Sequence, residues 1–180
     1  MNDVLRSLLL EHDHIRKMLI CFDGQLALFE RAEPADYDIL SDSLAYCKDY
    51  LDVWHHPRED RLFEALRQRS PAKAGPLVEL DGQHKELARR TAQVVRVFRD
   101  VSERGAVRLR EDLVRAAREL SEAYRHHIAW EEAHFFPALD HTLADEDWHA
   151  AQNDAREGGA AADSVRNRYP ALFRAIEETV

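Results

Sequence analysis

Apolar residues recur at intervals of three and four along most of this chain, which is the spacing of a helix that buries one face. Four long stretches carry such a stripe, over about residues 5–31, 36–68, 80–101 and 107–137. Breaks separate them, at Glu33-Pro34, at Ser70 to Pro76 and at Ser102 to Gly105. Long amphipathic helices with short links predict an all-α fold, arranged as an up-down-up-down four-helix bundle.

Two weaker helical segments follow the fourth stripe. The first runs from Asp145 to about Arg156, a break is predicted at Gly158-Gly159, and the second runs from Val165 to Glu178. They are predicted to pack across the bundle as a cap, with apolar anchors at Trp148, Tyr169 and Phe173. We therefore divide the chain into a bundle, residues 1–140, and a C-terminal helical cap, residues 141–180.

Composition narrows the classes of function. A chain of 180 residues with 45% hydrophobic and 33% charged residues is ordinary for one globular domain. The net charge of −9 argues against binding to nucleic acid, which needs clustered cations. Apolar runs are too short to cross a bilayer and no secretory signal is visible, so we expect a cytoplasmic protein without membrane contact. Cys21 and Cys47 are predicted core residues rather than a disulfide framework.

Four histidines follow a repeated spacing. His12 and His55 are 43 residues apart, and so are His84 and His127. Within the first pair both residues lie 19 positions from the turn between their helices, and within the second pair both lie 20 positions from theirs. With a rise of about 1.5 Å per residue, each pair is predicted to lie at one level. All four fall on the apolar stripes, so they are expected to point inward.

Two glutamates share those stripes, each one helical turn after a histidine. Glu59 follows His55 and Glu131 follows His127. Burying a carboxylate without a partner costs several kcal/mol, and a bound pair of cations removes that cost. Neutral imidazoles and carboxylates are suitable metal ligands. The predicted ligands are His12, His55, Glu59, His84, His127 and Glu131.

The sequence leaves two candidates for one pair of these ligands. His56 and Asp60 have the same spacing as His55 and Glu59, one position off the stripe, and are an alternative pair of ligands. Pro57 adds to the ambiguity, because its ring removes a backbone hydrogen bond to Val53 and predicts a local bulge.

These residues resemble the hemerythrin-like, or HHE cation-binding, domain over about residues 5–140. The similar segments are Leu9–His12, His55–Phe63, Gln83-His84, His127–Glu132 and Phe135–Leu139. The last is the most specific, because a Phe-Pro pair at a fixed distance after His-x-x-x-Glu-Glu is characteristic of that family. The resemblance implies two irons, with the four histidines as terminal ligands and Glu59 and Glu131 as bridging carboxylates. Zinc could occupy the same ligands.

The chain departs from the oxygen-carrying hemerythrins of invertebrates in one respect. Those proteins have a further histidine on the third helix, four residues from the first, where this chain has Leu80 or Ala88. The missing ligand favours reactivity or iron handling over simple oxygen transport. By resemblance, we expect a non-haem di-iron protein that handles or senses oxygen, nitric oxide or peroxide, or supplies iron in a stress response.

Two other interpretations remain open at this point. One is a di-iron oxidase or peroxidase-type enzyme related to ferritins, built on Glu-x-x-His pairs. The candidate pairs are Glu11 with His14 and Glu131 with His134. The other is a metal-free helical interaction domain whose histidines are incidental. The sequence identifies no protein partner, oligomeric state or catalytic residue.

Overall fold

Helices account for nearly all of the described chain. The structure, a computed structural model, describes residues 2–104 and 110–179, without the side chains of residues 100–104 and 152–163. In chain order the elements are α1 (Asp3–Glu30), α2 (Tyr37–Tyr46), the π-helical segment π1 (Cys47–His55), α3 (His56–Arg69), α4 (Pro71–Ala74), a 3₁₀ turn (Gly75–Leu77), α5 (Leu80–Arg104), α6 (Arg110–Trp130), π2 (Glu131–Phe135), α7 (Phe136–Asp140), α8 (Asp145–Arg168) and α9 (Pro170–Glu178). The predicted all-α bundle is confirmed. The up-down-up-down order stays a prediction.

Local sequence signals set the ends of the first helices. The Asn2 side chain accepts a hydrogen bond from the backbone N–H of Val4, and Asp36 caps α2 in the same way. Helix α1 closes through backbone hydrogen bonds from Ala32 and Glu33, with Ala32 in the left-handed region at a φ of 58°. Helix α5 continues through Arg104, past the break expected at Ser102. The rest of that predicted break, Gly105, lies outside the described residues.

Both π-helical segments end shortly before a proline. Segment π1 ends two residues before Pro57, and π2 ends two residues before Pro137. A proline has no N–H to donate to the preceding turn, so the helix widens there without losing a further bond. The bulge predicted beside Pro57 is therefore present as π1. A widened turn rotates the side chains that follow it, which changes the residues that face the bundle interior.

The C-terminal region differs from the expectation at one point. The break predicted at Gly158-Gly159 is wrong, because α8 runs without interruption from Asp145 to Arg168. Each helical glycine costs only about 1 kcal/mol relative to alanine, and the neighbouring Ala160 to Ala162 favour helix. The chain breaks instead at Tyr169, whose φ of −121° and ψ of 58° are non-helical. Pro170 causes this, because its ring disfavours the helical conformation of the residue before it.

Two apolar clusters fill the interior, and a polar layer separates them. Cluster one contains Ile15, Leu51, Leu87 and Tyr124 among its members. Cluster two contains Leu8, Leu62, Leu80 and Phe135. Each of the four long helices passes from one cluster to the other at its histidine: Leu8 and Ile15 flank His12, Leu51 and Leu62 flank His55, Leu80 and Leu87 flank His84, and Tyr124 and Phe135 flank His127. The four histidines thus share one level.

The C-terminal helices extend both clusters. Trp148 of α8 belongs to cluster two, while Tyr169 and Phe173 belong to cluster one. The Tyr169 hydroxyl also donates a hydrogen bond to Asp49, at 2.8 Å. The division into a bundle and a separate cap stays a prediction. Among the helices that the structure describes, none has the length and apolar character required to traverse a lipid bilayer.

Candidate metal centre

The six predicted ligands meet in the polar layer between the two clusters. None of them exposes more than 5% of its surface. They come from α1, from π1 with α3, from α5, and from α6 with π2. Within the residues that the structure describes, their ligand atoms form two overlapping groups suited to a metal ion. We call the first half-site one (His12, His55, Glu59) and the second half-site two (Glu59, His84, His127, Glu131).

The two glutamates lie between the half-sites. Glu59 carboxylate oxygens are 3.6 Å from His12 Nε2, 3.5 Å from His55 Nε2 and 3.6 Å from His84 Nε2. Glu131 carboxylate oxygens are 3.4 Å from His12 Nε2, 3.4 Å from His84 Nε2 and 3.3 Å from His127 Nε2. Each glutamate therefore contacts histidines of both half-sites. This position suits a carboxylate that is shared by two cations.

An outer ring of hydrogen bonds holds the four imidazoles. Each histidine points Nε2 to the centre and donates its Nδ1–H to a side chain of another helix. The distances are 2.9 Å for His55 with Glu11, 2.7 Å for His84 with Asp60, 3.0 Å for His127 with Gln83 and 3.0 Å for His12 with Glu132. A proton on Nδ1 leaves the Nε2 lone pair free, which is the tautomer that a metal ion requires.

The outer ring closes on itself. Helix α1 supplies Glu11 to the histidine of π1, α3 supplies Asp60 to that of α5, α5 supplies Gln83 to that of α6, and π2 supplies Glu132 to that of α1. Each acceptor is the immediate sequence neighbour of a ligand on its own helix. Adjacent helical residues point about 100° apart, so one faces the centre while its neighbour faces the next helix.

This adjacency is a signal that the sequence interpretation missed. Glu11 and Asp60 were expected only as alternative metal ligands, and no role was predicted for Gln83 and Glu132. A polar residue beside each predicted ligand was visible in the sequence. Its partner, however, lies on a different helix, and only the packing shows which histidine it reaches.

Two arginines anchor the carboxylates behind half-site one. Arg58 is 2% exposed and donates to Glu11 at 2.6 Å, while Arg16 donates to Glu132 at 2.6 Å. Burial alone would raise the pKa of Glu11, but His55 and Arg58 outweigh burial and lower it to about 2. Both carboxylates behind half-site one therefore stay ionised, because the hydrogen bond from His12 also lowers the pKa of Glu132 to about 2.

Neighbouring carboxylates, two in the centre and one in the outer ring, decide the protonation of His12. Burial disfavours its charged imidazole, but the surrounding carboxylates outweigh burial and raise its pKa to about 11. These carboxylates belong to Glu131, Glu132 and Glu59. Without a metal ion, this imidazole is a cation in contact with both central glutamates.

The histidines of half-site two differ from each other. Burial disfavours a proton on His84, yet hydrogen bonds to Asp60 and Glu131 raise its pKa to about 10. Burial prevails at His127 and lowers its pKa to about 4. The acceptor of the His127 Nδ1–H is the neutral amide of Gln83, so no carboxylate outside the centre compensates for burial there. At neutral pH the imidazoles of His12 and His84 are therefore charged in the metal-free centre.

The centre has the unpaired polar atoms that a metal site requires. Five buried atoms that face it lack a hydrogen-bond partner: His12 Nε2, His127 Nε2, both carboxylate oxygens of Glu59 and Oε2 of Glu131. Buried groups of this kind are rare, because each costs the free energy of its lost hydration. Metal coordination satisfies all five at once, so these residues fit a bound metal. A metal-free interaction domain gives no reason for them.

The alternative ligands occupy other positions. Asp60 is 41% exposed and binds His84 from outside the centre. His56 is buried beside half-site two, and its ligand atom groups with those of His84 and His127. The ferritin-type set is not assembled, because His14 and His134 are exposed.

We expect Asp60→Ala to weaken metal binding without unfolding the protein. The exposed position of Asp60 makes its loss tolerable, but His84 loses the acceptor that orients its ring. Loss of such an outer partner typically costs about 10- to 100-fold in metal affinity. Competition against a chelator measures the change. Asp81→Ala is the matched control, because Asp81 is exposed and contacts Lys85 instead; equal affinities of the two variants would contradict the outer ring.

Comparison with known proteins agrees with this geometry. The family model for the hemerythrin HHE cation binding domain matches residues 3–139, and a second match covers residues 79–179. Neither the curated proteins nor the solved structures that were searched give a match. The matched residues include every member of both half-sites. The chain therefore belongs to the hemerythrin HHE cation-binding domain family, and its buried histidine and glutamate cluster is a metal-binding site.

Proposed function

We propose that this protein holds two iron ions, one in each half-site, and uses them to bind or respond to oxygen, nitric oxide or peroxide. The observation that carries the proposal is the pair of glutamates, each of which contacts imidazoles of both half-sites. Mixed imidazole and carboxylate ligands suit iron, and family membership supports iron over zinc.

We propose that small molecules approach half-site two through a groove between α5 and α6 that reaches His127. It has a volume of 690 Å³, and its lining includes His127, Gln83 and Trp130. Acidic side chains dominate its charge: Glu79, Glu86, Glu119 and Glu122. Arg90 also lines it but is paired with Glu86 at 2.7 Å. This negative field disfavours anionic ligands, whereas neutral molecules such as oxygen, nitric oxide and hydrogen peroxide meet no such barrier.

The protein residues would position and shield the metal ions. The outer ring fixes each imidazole with Nε2 inward, and the central glutamates set the separation of the two half-sites. Phe136 packs on the His12 ring at 5.0 Å between centroids, which limits the access of water to half-site one. When bound, the two irons would supply Lewis acidity and one-electron redox chemistry toward small oxidants.

The test is iron content together with optical spectra. Purified protein should contain two irons per chain, and the spectrum of the reduced protein should change on addition of oxygen, nitric oxide or peroxide. A stable, reversible change supports a sensor or carrier. Rapid turnover of peroxide would favour the alternative, an oxidase or peroxidase-type enzyme. Protein that binds zinc but no iron would contradict the proposal.

We expect His127→Ala to lose about one of the two irons, because half-site two then lacks a terminal imidazole. His149→Ala is the control, since His149 is exposed and its Nδ1 contacts the carbonyl of Asp145. Iron analysis after gel filtration measures both. Equal iron retention in the two variants would refute the assignment of His127 as a ligand.

A further inference from the structure

His56 is a fifth histidine beside the centre, next to the predicted ligand His55. It is 4% exposed, and its ring stacks on that of His84 at 4.4 Å between centroids. The His127 ring is 5.5 Å away and nearly perpendicular. One ligand atom from each of these three histidines lies within 4.8 Å of the others. Three imidazoles converge on half-site two, where the sequence predicted two.

The backbone explains how consecutive histidines can both reach the centre. In a regular α-helix, neighbouring side chains point about 100° apart, so one of the two would normally leave the interior. Here His55 ends π1 and His56 begins α3, directly before Pro57. The wider π-helical turn changes the register at this point. As a result, His55 lies at half-site one and His56 lies at half-site two.

A carboxylate also lies beside the Nδ1 of His56, although on the same helix and farther away than the acceptors of the other histidines. This Nδ1 lies 3.5 Å from an oxygen of Asp52, one turn earlier on π1. That Asp52 oxygen is buried and has no hydrogen-bond partner, so it is available as an acceptor for the Nδ1–H of His56. A proton on Nδ1, held by Asp52, leaves Nε2 as the free nitrogen, as in the four predicted ligands.

Packing alone does not account for a histidine at this position. The residue before the other π-segment proline is Phe136, which stacks on His12 at 5.0 Å. A phenylalanine thus performs the packing role beside half-site one. Burying an imidazole in place of a phenyl ring adds two polar nitrogens that need partners. Asp52 can satisfy one of them, and the second needs a ligand in half-site two.

We propose that His56 is a third imidazole ligand of the metal ion in half-site two, an inference that rests on the proposed metal centre. On α5, neither residue four positions from His84 can coordinate a metal, since these are Leu80 and Ala88. His56 supplies the missing nitrogen from a different helix. Half-site two then has three imidazoles and half-site one has two, so the two metal positions are inequivalent.

The first experiment compares His56→Phe with His126→Phe, using cobalt(II) or iron(II) alone as the probe. His56 directly follows the predicted ligand His55, and His126 directly precedes His127. Unlike His56, however, His126 is exposed in the groove. We expect wild type and His126→Phe to retain two ions in a chelator challenge. We expect His56→Phe to keep one ion and to release the other at a chelator concentration at least about tenfold lower than wild type requires. Phenylalanine preserves the stacking on His84, so a pure packing role predicts no loss.

A second variant covers the case in which His56→Phe folds poorly. His56→Gly leaves a cavity that free imidazole can fill, and added imidazole should restore both the second ion and the cobalt absorption spectrum. No recovery with imidazole, or unchanged retention of two ions by His56→Phe, would overturn the role of His56 while the proposed centre stands. A wild-type protein that binds fewer than two ions, unchanged by His56→Phe, would overturn both proposals.

Discussion

Replacing Glu59 with alanine should remove both metal ions, the largest effect we expect from any single substitution. Glu59 is fully buried and contacts His12, His55 and His84, which belong to both half-sites. Its loss removes a shared ligand and leaves two like-charged ions with less negative charge between them. We expect a decrease in affinity beyond the roughly 10- to 100-fold that follows loss of an outer partner. Metal content after dialysis against a weak chelator measures it.

Glu64→Ala on the same helix is the matched control. The Glu64 side chain is 46% exposed and contacts Arg67 and Gln68, so its removal should leave metal content unchanged. Thermal unfolding of the metal-free proteins separates coordination from folding. A cooperative unfolding transition of metal-free Glu59→Ala would show that the variant folds, so that its loss of metal reflects the missing ligand. Retention of one tightly bound ion by Glu59→Ala would contradict the shared position of this carboxylate.

Metal binding should release about two protons per chain at pH 7.5, because a metal ion displaces the protons of His12 and His84. The pKa of His12 is raised to about 11 and that of His84 to about 10, so both imidazoles are charged at this pH before the metal binds. Titration calorimetry in buffers of different ionisation enthalpy counts the released protons. Binding without proton release would contradict the protonated metal-free centre.

The same protons make the stability of the metal-free protein depend on pH. In an unfolded chain these imidazoles have a pKa of about 6.5. Because the folded-state values of about 11 and 10 are higher, the contribution of both groups to the free energy of unfolding is complete below pH 6.5. It is lost progressively as the pH rises toward those folded-state values. Metal-bound protein carries no such protons. The difference in melting temperature between the metal-bound and the metal-free protein should therefore increase from pH 7 to pH 9. A constant difference would contradict this account.

The sequence determined the helices and the residues at the centre of the fold. Stripes at helical spacing need no knowledge of the partner helix, because each helix must bury its own apolar face. Equal distances of His12 and His55 from their shared turn likewise follow from the constant rise of a helix. The break in the C-terminal helices was predicted at the wrong residues, because glycine and proline affect a helix differently. The two glycines weaken a helix without ending it, whereas Pro170 constrains the backbone of Tyr169 directly.

Tertiary structure alone decided how the central side chains are shared and supported. Glu132 reaches His12 across 120 positions of sequence, and no local pattern encodes which neighbouring helix an off-stripe side chain will meet. The choice between His55 and His56 depended on the width of one turn of backbone, which directs the two rings to different half-sites. A prediction of inward-facing residues from the 3.6-residue period assumes a regular α-helix. It therefore does not hold where a π-helical segment widens the helix, which here is at the metal centre.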